Sequence, residues 1–243
     1  MSSTAGTDYS AIYDPDTDFD ARSTMATVRR IAERVAPGDR VLELGCATGL
    51  MTAYLADGGA RVTGIDRSEA YLDRARARLG DRATFIRAGL AEPGWEDIAG
   101  GDAGGGFAHV LLCNLVHELP DPVDLLRRAA GLLAPDGLVH LSLQNPDSIH
   151  RLVAVEMGLI DDVREVSARG GRFGTLGLWG VDDLARLARE AGLGVVAWEG
   201  VMLKPLPNGM MAELPPEVLD GFERAARHLP AHCAMNLLVL ARG

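Results

Sequence analysis

Apolar positions along the chain fall into two alternating kinds of run. Short, nearly unbroken apolar runs at Arg40–Leu44, Arg61–Ile65, Ala83–Arg87, Phe107–Cys113, Leu138–Leu143, Gly194–Glu199 and Met235–Ala241 read as strands. Between them lie stretches with helical spacing. In Arg22–Val35 the residues Met25, Val28, Ile31 and Val35 share one face; Leu50–Asp57, Glu69–Leu79, Pro122–Leu133 and Val181–Ala191 follow. Pro37-Gly38-Asp39 and Ala134-Pro135-Asp136-Gly137 are turns, and the run from Gly100 to Gly106 is a glycine-rich loop. Strands alternating with helices predict an α/β fold: a doubly wound, mostly parallel sheet with helices on both faces.

Two long stretches break the alternation, 145–180 and 202–234. Each follows a strand expected to run parallel to the first. Such connections leave from the carboxyl edge of the sheet, where open α/β sheets bind ligands. Long connections in compact domains are more often functional than idle, so both insertions are predicted to cover the mouth of one site. Residues 1–22 are polar and acidic and read as an N-terminal arm, or lid, ahead of a domain at 23–243. With few apolar residues, the arm is expected to move freely until a ligand binds.

Composition narrows the setting. A chain of 243 residues, 47% hydrophobic, buries a core without metal or disulfide staples. No apolar run approaches the ~20 residues of a membrane span, and the N-terminus lacks the basic and apolar regions of a signal peptide. Cys46, Cys113 and Cys233 give an odd count without framework spacing, so free thiols and a cytoplasmic location are expected, with no membrane partner. A net charge of −10 argues against a nucleic-acid partner. Lys204 is the only lysine in a chain otherwise using arginine, and Ala, Gly and Leu abound. That bias points to GC-rich coding, and from there to a bacterium with extensive secondary metabolism. Oligomeric state is not legible.

The chemistry begins at Val41-Leu42-Glu43-Leu44-Gly45-Cys46-Ala47-Thr48-Gly49, which follows a strand and opens a helix. Small residues at 45, 47 and 49 let the backbone turn tightly and approach a ligand, and the helix behind offers its positive end. A dinucleotide fingerprint would need a small residue at 50, where Leu50 stands. Glu43 would also repel a pyrophosphate; it suits a cationic ligand such as an amino-acid ammonium. The second strand then ends in Gly64-Ile65-Asp66-Arg67-Ser68, and an acid at that position can accept both hydroxyls of a ribose.

With these motifs the chain resembles the class I (Rossmann-like) S-adenosylmethionine-dependent methyltransferases of the small-molecule type. The likeness is close over 28–143 and extends over 181–241 in element order. Cys113-Asn114-Leu115-Val116-His117-Glu118-Leu119-Pro120-Asp121-Pro122 resembles the family's fourth motif. The resemblance implies a seven-stranded sheet whose final strand is antiparallel, and S-adenosylmethionine as cofactor. It implies that Glu43, Gly45, Cys46, Ala47 and Gly49 line the cofactor, that Asp66 binds ribose and that Arg67 lies against adenine. Asn114 would face the methionine part, and Tyr13 would reach over from the arm. Ala47 replaces the family's middle glycine. Gly89 stands where the family has an acid for the adenine amino group, so the base would rely on backbone near Leu90. The implied activity is methyl transfer to an O, N or C atom of a small molecule. Cofactor binding without transfer, and methylation of protein or RNA, stay open as alternatives.

Methyl transfer from a sulfonium is an in-line displacement, so the protein must align the acceptor and, for a hydroxyl, remove its proton. His117 is the candidate catalytic base by its location and near-neutral intrinsic pKa. His150, Trp179 and Lys204 are candidate substrate residues in the two insertions, Lys204 as a compact ammonium for an anionic group. Glu118 enters only as a possible metal ligand beside His117, without a third partner. His228 and His232 have Pro230 between them, which spoils a shared helical face, so no metal site is predicted.

Overall fold

The computed structural model describes residues 9–100 and 105–243. Strands β1 (Arg40–Leu44), β2 (Arg61–Asp66), β3 (Ala83–Arg87), β4 (Phe107–Cys113), β5 (Leu133–Gln144), β6 (Leu193–Val201) and β7 (Met235–Arg242) form one sheet in the order β3-β2-β1-β4-β5-β7-β6. From β3 to β5 every pairing is parallel, and β7 is antiparallel to both β5 and β6. The chain steps outward from β1 to β2 on one side and later to β4 on the other. That reversal of strand order opens a crevice at the carboxyl end of β1.

Alternation along the strands separates two cores. Leu42, Leu44, Val110, Leu112, Val139 and Leu141 point to one face, under α4 (Trp95–Gly100), α5 (Pro122–Gly131) and α8 (Val181–Glu190). Val41, Val62, Leu111 and Leu237 point to the other, under α1 (Asp20–Ala32) and α2 (Leu50–Asp57). Each such side chain, fully buried, contributes about 1.5–3 kcal/mol. Helix α3 (Glu69–Leu79) packs beside β2 and β3. The insertions are helical: α6 (Ile149–Glu156) and α7 (Ala168–Arg172) follow β5, and α9 (Asn208–Ala212) and α10 (Pro216–Ala225) follow β6. Both leave from the carboxyl edge, because β5 and β6 run parallel to β1.

Several boundaries differ from expectation. Helix α1 starts at Asp20, two residues early, where Asp18 Oδ1 accepts a hydrogen bond from the Asp20 amide at 3.0 Å. Helix α5 stops at Gly131, and β5 starts at Leu133 instead of Leu138. The turn at Ala134–Gly137 is looped out of β5, and the pairing with β4 slips there, from Phe107 opposite Leu133 to His109 opposite Leu138. Gly106 and Gly137 make the crossing possible, since a Cβ on either would lie 2.6 Å from facing backbone. Helix α4 was not anticipated; six residues are too few to show a period.

Among the α1-side positions of the sheet is a buried histidine pair. His109 Nδ1 and His140 Nε2 are 2.9 Å apart, and His109 Nε2 lies 3.3 Å from Asp39. His140 Nδ1 has no partner. Burial presses His140 down to about 3, helped by the charges of His109 and Arg34. Burial also lowers His109, against the pull of Asp39. Both are neutral in the folded protein, while the unfolded chain takes up protons below about pH 6.5. Stability is therefore full above that pH and falls as the pH drops towards the folded values, by up to about 1.4 kcal/mol per pH unit for each histidine. Urea midpoints measured from about pH 5 to 8 should fall less steeply in His140→Leu than in the parent. Equal slopes would place the acid sensitivity elsewhere.

Candidate active site

The loop after β1 is built on left-handed backbone. Gly45, Ala47 and Gly49 have φ of 77°, 44° and 73°. The amides of Gly45 and Cys46 both donate to Ile65 O, at 2.8 and 3.0 Å, and the Ala47 amide donates to Asp66 Oδ2 at 2.9 Å. Gly45 is a bare cradle, where a Cβ would press on Leu115 Cδ1 at 3.3 Å; at Gly49 it would meet Ala75 of α3 at 3.1 Å. Ala47 holds a conformation that costs an L-residue about 1–2 kcal/mol. Asn114 (φ 52°) and Met202 (φ 58°) do the same just past β4 and β6. Among the described residues, every non-glycine left-handed position lies past a strand on this one edge, where such strain commonly marks a site. The Cys46 side chain rests on the sheet against Gly64, whose Cβ would lie 2.8 Å from Cys46 Sγ.

Two carboxyls meet beneath the loop. Glu43 is buried, and its Oε2 accepts from the Thr52 hydroxyl at the start of α2. Burial, with the nearby charge of Asp66, pushes its carboxyl up to about 8. Burial also raises Asp66, against the amides of Ser68 and Ala47 that bond its two oxygens at 2.9 Å each. A carboxylate offers about four lone-pair sites, so each oxygen can accept one more donor.

Across the crevice stands the turn after β4. Arg67 Nη2 lies 3.8 Å from Glu118 Oε2, so this pair spans the end of β1 from the β2 side to the β4 side. Glu118 is pushed up to about 7 by burial, with Arg67 opposing and Asp66 assisting. Sequence reasoning gave it no catalytic place; its adjacency to His117 was the available signal. His117 is buried, its Nε2 is 3.9 Å from Glu118 Oε1, and burial lowers it to about 4. Among the described residues, Asn114 Oδ1, His117 Nδ1, Ser148 Oγ and His150 Nδ1 are buried without a hydrogen-bond partner. These atoms follow β4 and β5 at the same edge, and orphaned polar atoms of this kind are normally satisfied by water or ligand.

The remaining candidates divide. His150, at the start of α6, is lowered to about 3 by burial and by the charges of Lys204 and Arg151. Lys204 Nζ donates to Asn208 Oδ1 at 2.6 Å. Trp179 is not with them: its indole packs against the core on the α8 face, because it immediately precedes that helix. The Leu90 side chain joins the core, and its carbonyl accepts from Arg128 Nη1 at 3.0 Å. Gly89 lies two residues past β3, and a Cβ there would meet only the Glu92 carboxyl, at 3.8 Å.

Comparison with known proteins decides the family. Residues 18–197 match the family described as a methyltransferase domain. The chain belongs to the methyltransferases. It is 31% identical over 197 residues to a ubiquinone biosynthesis O-methyltransferase of Thiobacillus denitrificans, covering 80% of this chain and 82% of that one. Its fold matches an S-adenosylmethionine-dependent methyltransferase from Mesorhizobium loti with a TM-score of 0.61 at 20% identity, covering 92% and 100% of the two chains. It also matches the Burkholderia thailandensis 1,6-didemethyltoxoflavin-N1-methyltransferase, with a TM-score of 0.59 at 20% identity over 92% and 79%. The methyltransferase is of the S-adenosylmethionine-dependent class I type. The bare cradle at Gly45, the orphaned Asn114 Oδ1 and the two buried carboxyls fit a ligand with a cationic amino-acid end and a ribose. Among the described residues no three His, Cys, Asp or Glu side chains are grouped to hold a metal ion, and no helix is long and apolar enough to cross a membrane.

The described part of the arm, from residue 9, is docked rather than loose. Tyr71 donates its hydroxyl to Tyr13 O at 2.8 Å, and the Tyr13 ring meets Phe173 edge-on at 5.3 Å. Asp14 pairs with Arg74 at 2.7 Å. Asp16 pairs with Arg74 and Arg78 and accepts from the Thr48 hydroxyl in the loop, each at 2.7 Å. Asn208 donates to Asp20 at 2.8 Å. Counting apolar residues missed this clamp because it is made of aspartates facing arginines. Single exposed pairs contribute about 0–1 kcal/mol, so the clamp depends on their number. In Arg78→Ala, amide exchange across residues 13–19 should speed up severalfold, and salt near 1 M should do the same to the parent. Unchanged exchange in both would show that the ion pairs do not hold the arm.

Proposed function

We propose that this methyltransferase moves a methyl group to a hydroxyl of a small molecule held under the two insertions, with His117 as the base. The observation that carries this reading is the group of buried, unpartnered polar atoms at Asn114, His117 and His150, on the edge where the glycine loop opens. The name of the Thiobacillus relative supports oxygen as the acceptor atom. In this reading S-adenosylmethionine, when bound, supplies a sulfonium methyl open to in-line attack. Glu43 and Asn114 hold the amino-acid end, Asp66 accepts the ribose hydroxyls, and the backbone of Gly45, Cys46, Ala47 and Gly49 lines the rest. Arg67 and Gly89 flank the base, and Tyr13 closes over it with the arm. His150 and Lys204 face the acceptor. The Leu176 amide, in the first insertion, donates to His117 O at 2.8 Å, which supports the cover at 145–180 reaching the base; 202–234 brings Lys204. The net charge of −10 supports a small molecule over a nucleic acid, and a cytoplasmic setting without membrane partners completes the proposal.

His117 is neutral at pH 7 and so is ready to take the hydroxyl proton. Glu118, facing Nε2, stabilises the imidazolium that results, and it does so only when ionised. Turnover should therefore fall as the pH drops through about 7, where Glu118 takes up a proton. In Glu118→Gln that step should vanish, leaving a lower rate whose remaining decline lies near pH 4, the value for His117. His117→Gln should lose about 10²–10⁴-fold in turnover while keeping cofactor affinity. Full turnover in that variant would end the catalytic assignment.

Cofactor binding is tested separately. Asp66→Ala should weaken binding of S-adenosylhomocysteine by about 2–3 kcal/mol in calorimetry, the loss of two buried hydrogen bonds to a charged group. Unchanged affinity would remove the ribose assignment. Labelled methyl donor incubated with fractionated cell extract discriminates the wider readings: label in small molecules supports transfer as proposed, label in macromolecules overturns the acceptor class, and no label favours binding without transfer.

A further inference from the structure

The strand order determines which way a bound nucleoside runs. With the amino-acid end at the β1 loop and Asn114, on the β4 side, and the ribose on Asp66 at the end of β2, the base extends over β2 and β3. The Ala88 amide donates to Asp66 O at 3.0 Å, so the end of β3 is tied directly to that point. The first residue with room to meet the base is Gly89, which has no side chain.

Another side chain reaches that space. A methyl group built on Gly89 would find only Glu92, with its carboxyl carbon and Oε2 both at 3.8 Å. Glu92 therefore folds back over its own turn and sets a carboxylate where a short acid at 89 would end. The turn is fastened from below. The Glu92 amide donates to Gly89 O at 3.4 Å, and the Arg128 guanidinium donates to Leu90 O at 3.0 Å and Glu92 O at 2.7 Å. Arg128 itself lies 5.0 Å over the Trp95 ring and is paired with Glu96. Among the described residues the Glu92 carboxylate makes no hydrogen bond or ion pair, whereas Glu96 is engaged by Arg128 and the Gly94 amide.

We propose that Glu92 is the purine-recognition residue of this enzyme, accepting from the 6-amino group of adenine across the bare Gly89. The inference rests on the cofactor reading above. A carboxylate accepts only, so it matches an exocyclic amine and opposes a 6-oxo group, whose lone pairs face it. Glu92 thereby sets specificity for adenosine over inosine.

Calorimetry with S-adenosylhomocysteine and S-inosylhomocysteine tests this without turnover. The parent should bind the inosine form at least about tenfold more weakly. Glu92→Ala should weaken the adenosine form by about tenfold and bring the two ligands to within about twofold of each other. Gly89→Asp added to Glu92→Ala should restore the preference, which a merely structural role for Glu92 would not allow. A preference that survives Glu92→Ala in a folded protein overturns the assignment while leaving the cofactor reading intact. Failure of the parent to bind either ligand overturns both.

Discussion

The buried carboxyls of Glu43 and Asp66, the first within reach of the second's charge, constrain most of what surrounds them. Desolvation alone would drive both towards their neutral forms. The structure answers with donors: the Thr52 hydroxyl for Glu43, and the amides of Ala47 and Ser68 for Asp66. Delivering the Ala47 amide requires the chain to turn left-handed at a residue with a side chain, so the strain at Ala47 follows from Asp66. The Thr52 bond in turn ties the first turn of α2 to β1. Arg67 brings a positive charge to Asp66, but among the described residues none acts on Glu43, and a cationic ligand over it would relieve the remaining penalty.

The same edge gathers the other local costs. Left-handed Asn114 and Met202, the orphaned atoms of Asn114, His117, Ser148 and His150, and the raised carboxyl of Glu118 all lie past the ends of strands that run the same way. On the faces of the sheet, by contrast, Leu42, Leu112, Leu141 and Leu237 pack without polar partners to satisfy. One direction of strand travel thus separates a quiet core from a working rim. The exceptions include the buried pair His109 and His140 on the α1 face and the unpartnered polar atoms of Trp95, Ser142 and Asn236.

The strands and the long helices were legible because burial on both faces leaves nearly continuous apolar runs, and because small residues at 45, 47 and 49 followed by Asp66 have few other uses. Boundaries were less legible where backbone approaches backbone: the irregularity at Ala134–Gly137 depends on Gly106 meeting the Leu133–Ala134 backbone and Gly137 meeting the Phe107 carbonyl, which no local pattern reveals. Of the candidate site, the left-handed glycine loop and the carboxyl at the end of β2 were legible, and the turn after β4 less so. Cys46 lies in the motif, but the absence of a Cβ at Gly64 draws its side chain to the sheet. Trp179 is half-buried and packs against the core beside α8. Glu118 was less legible because its raised pKa comes from burial in the folded chain, with the charge of Asp66 from the other side of β1 assisting.

The arm's anchorage has a kinetic consequence. It is tied to the loop after β1 through Thr48, to α3 through Arg74 and Arg78, and to the second insertion through Asn208. A segment fastened on both banks of the crevice cannot open over the nucleoside alone. Departure of the demethylated donor and of the methylated product would then wait on a single unfastening, and the steady-state rate would follow that motion. Under such gating, isotopic substitution of the transferred methyl would leave the overall rate nearly unchanged, while solvent viscosity would slow it.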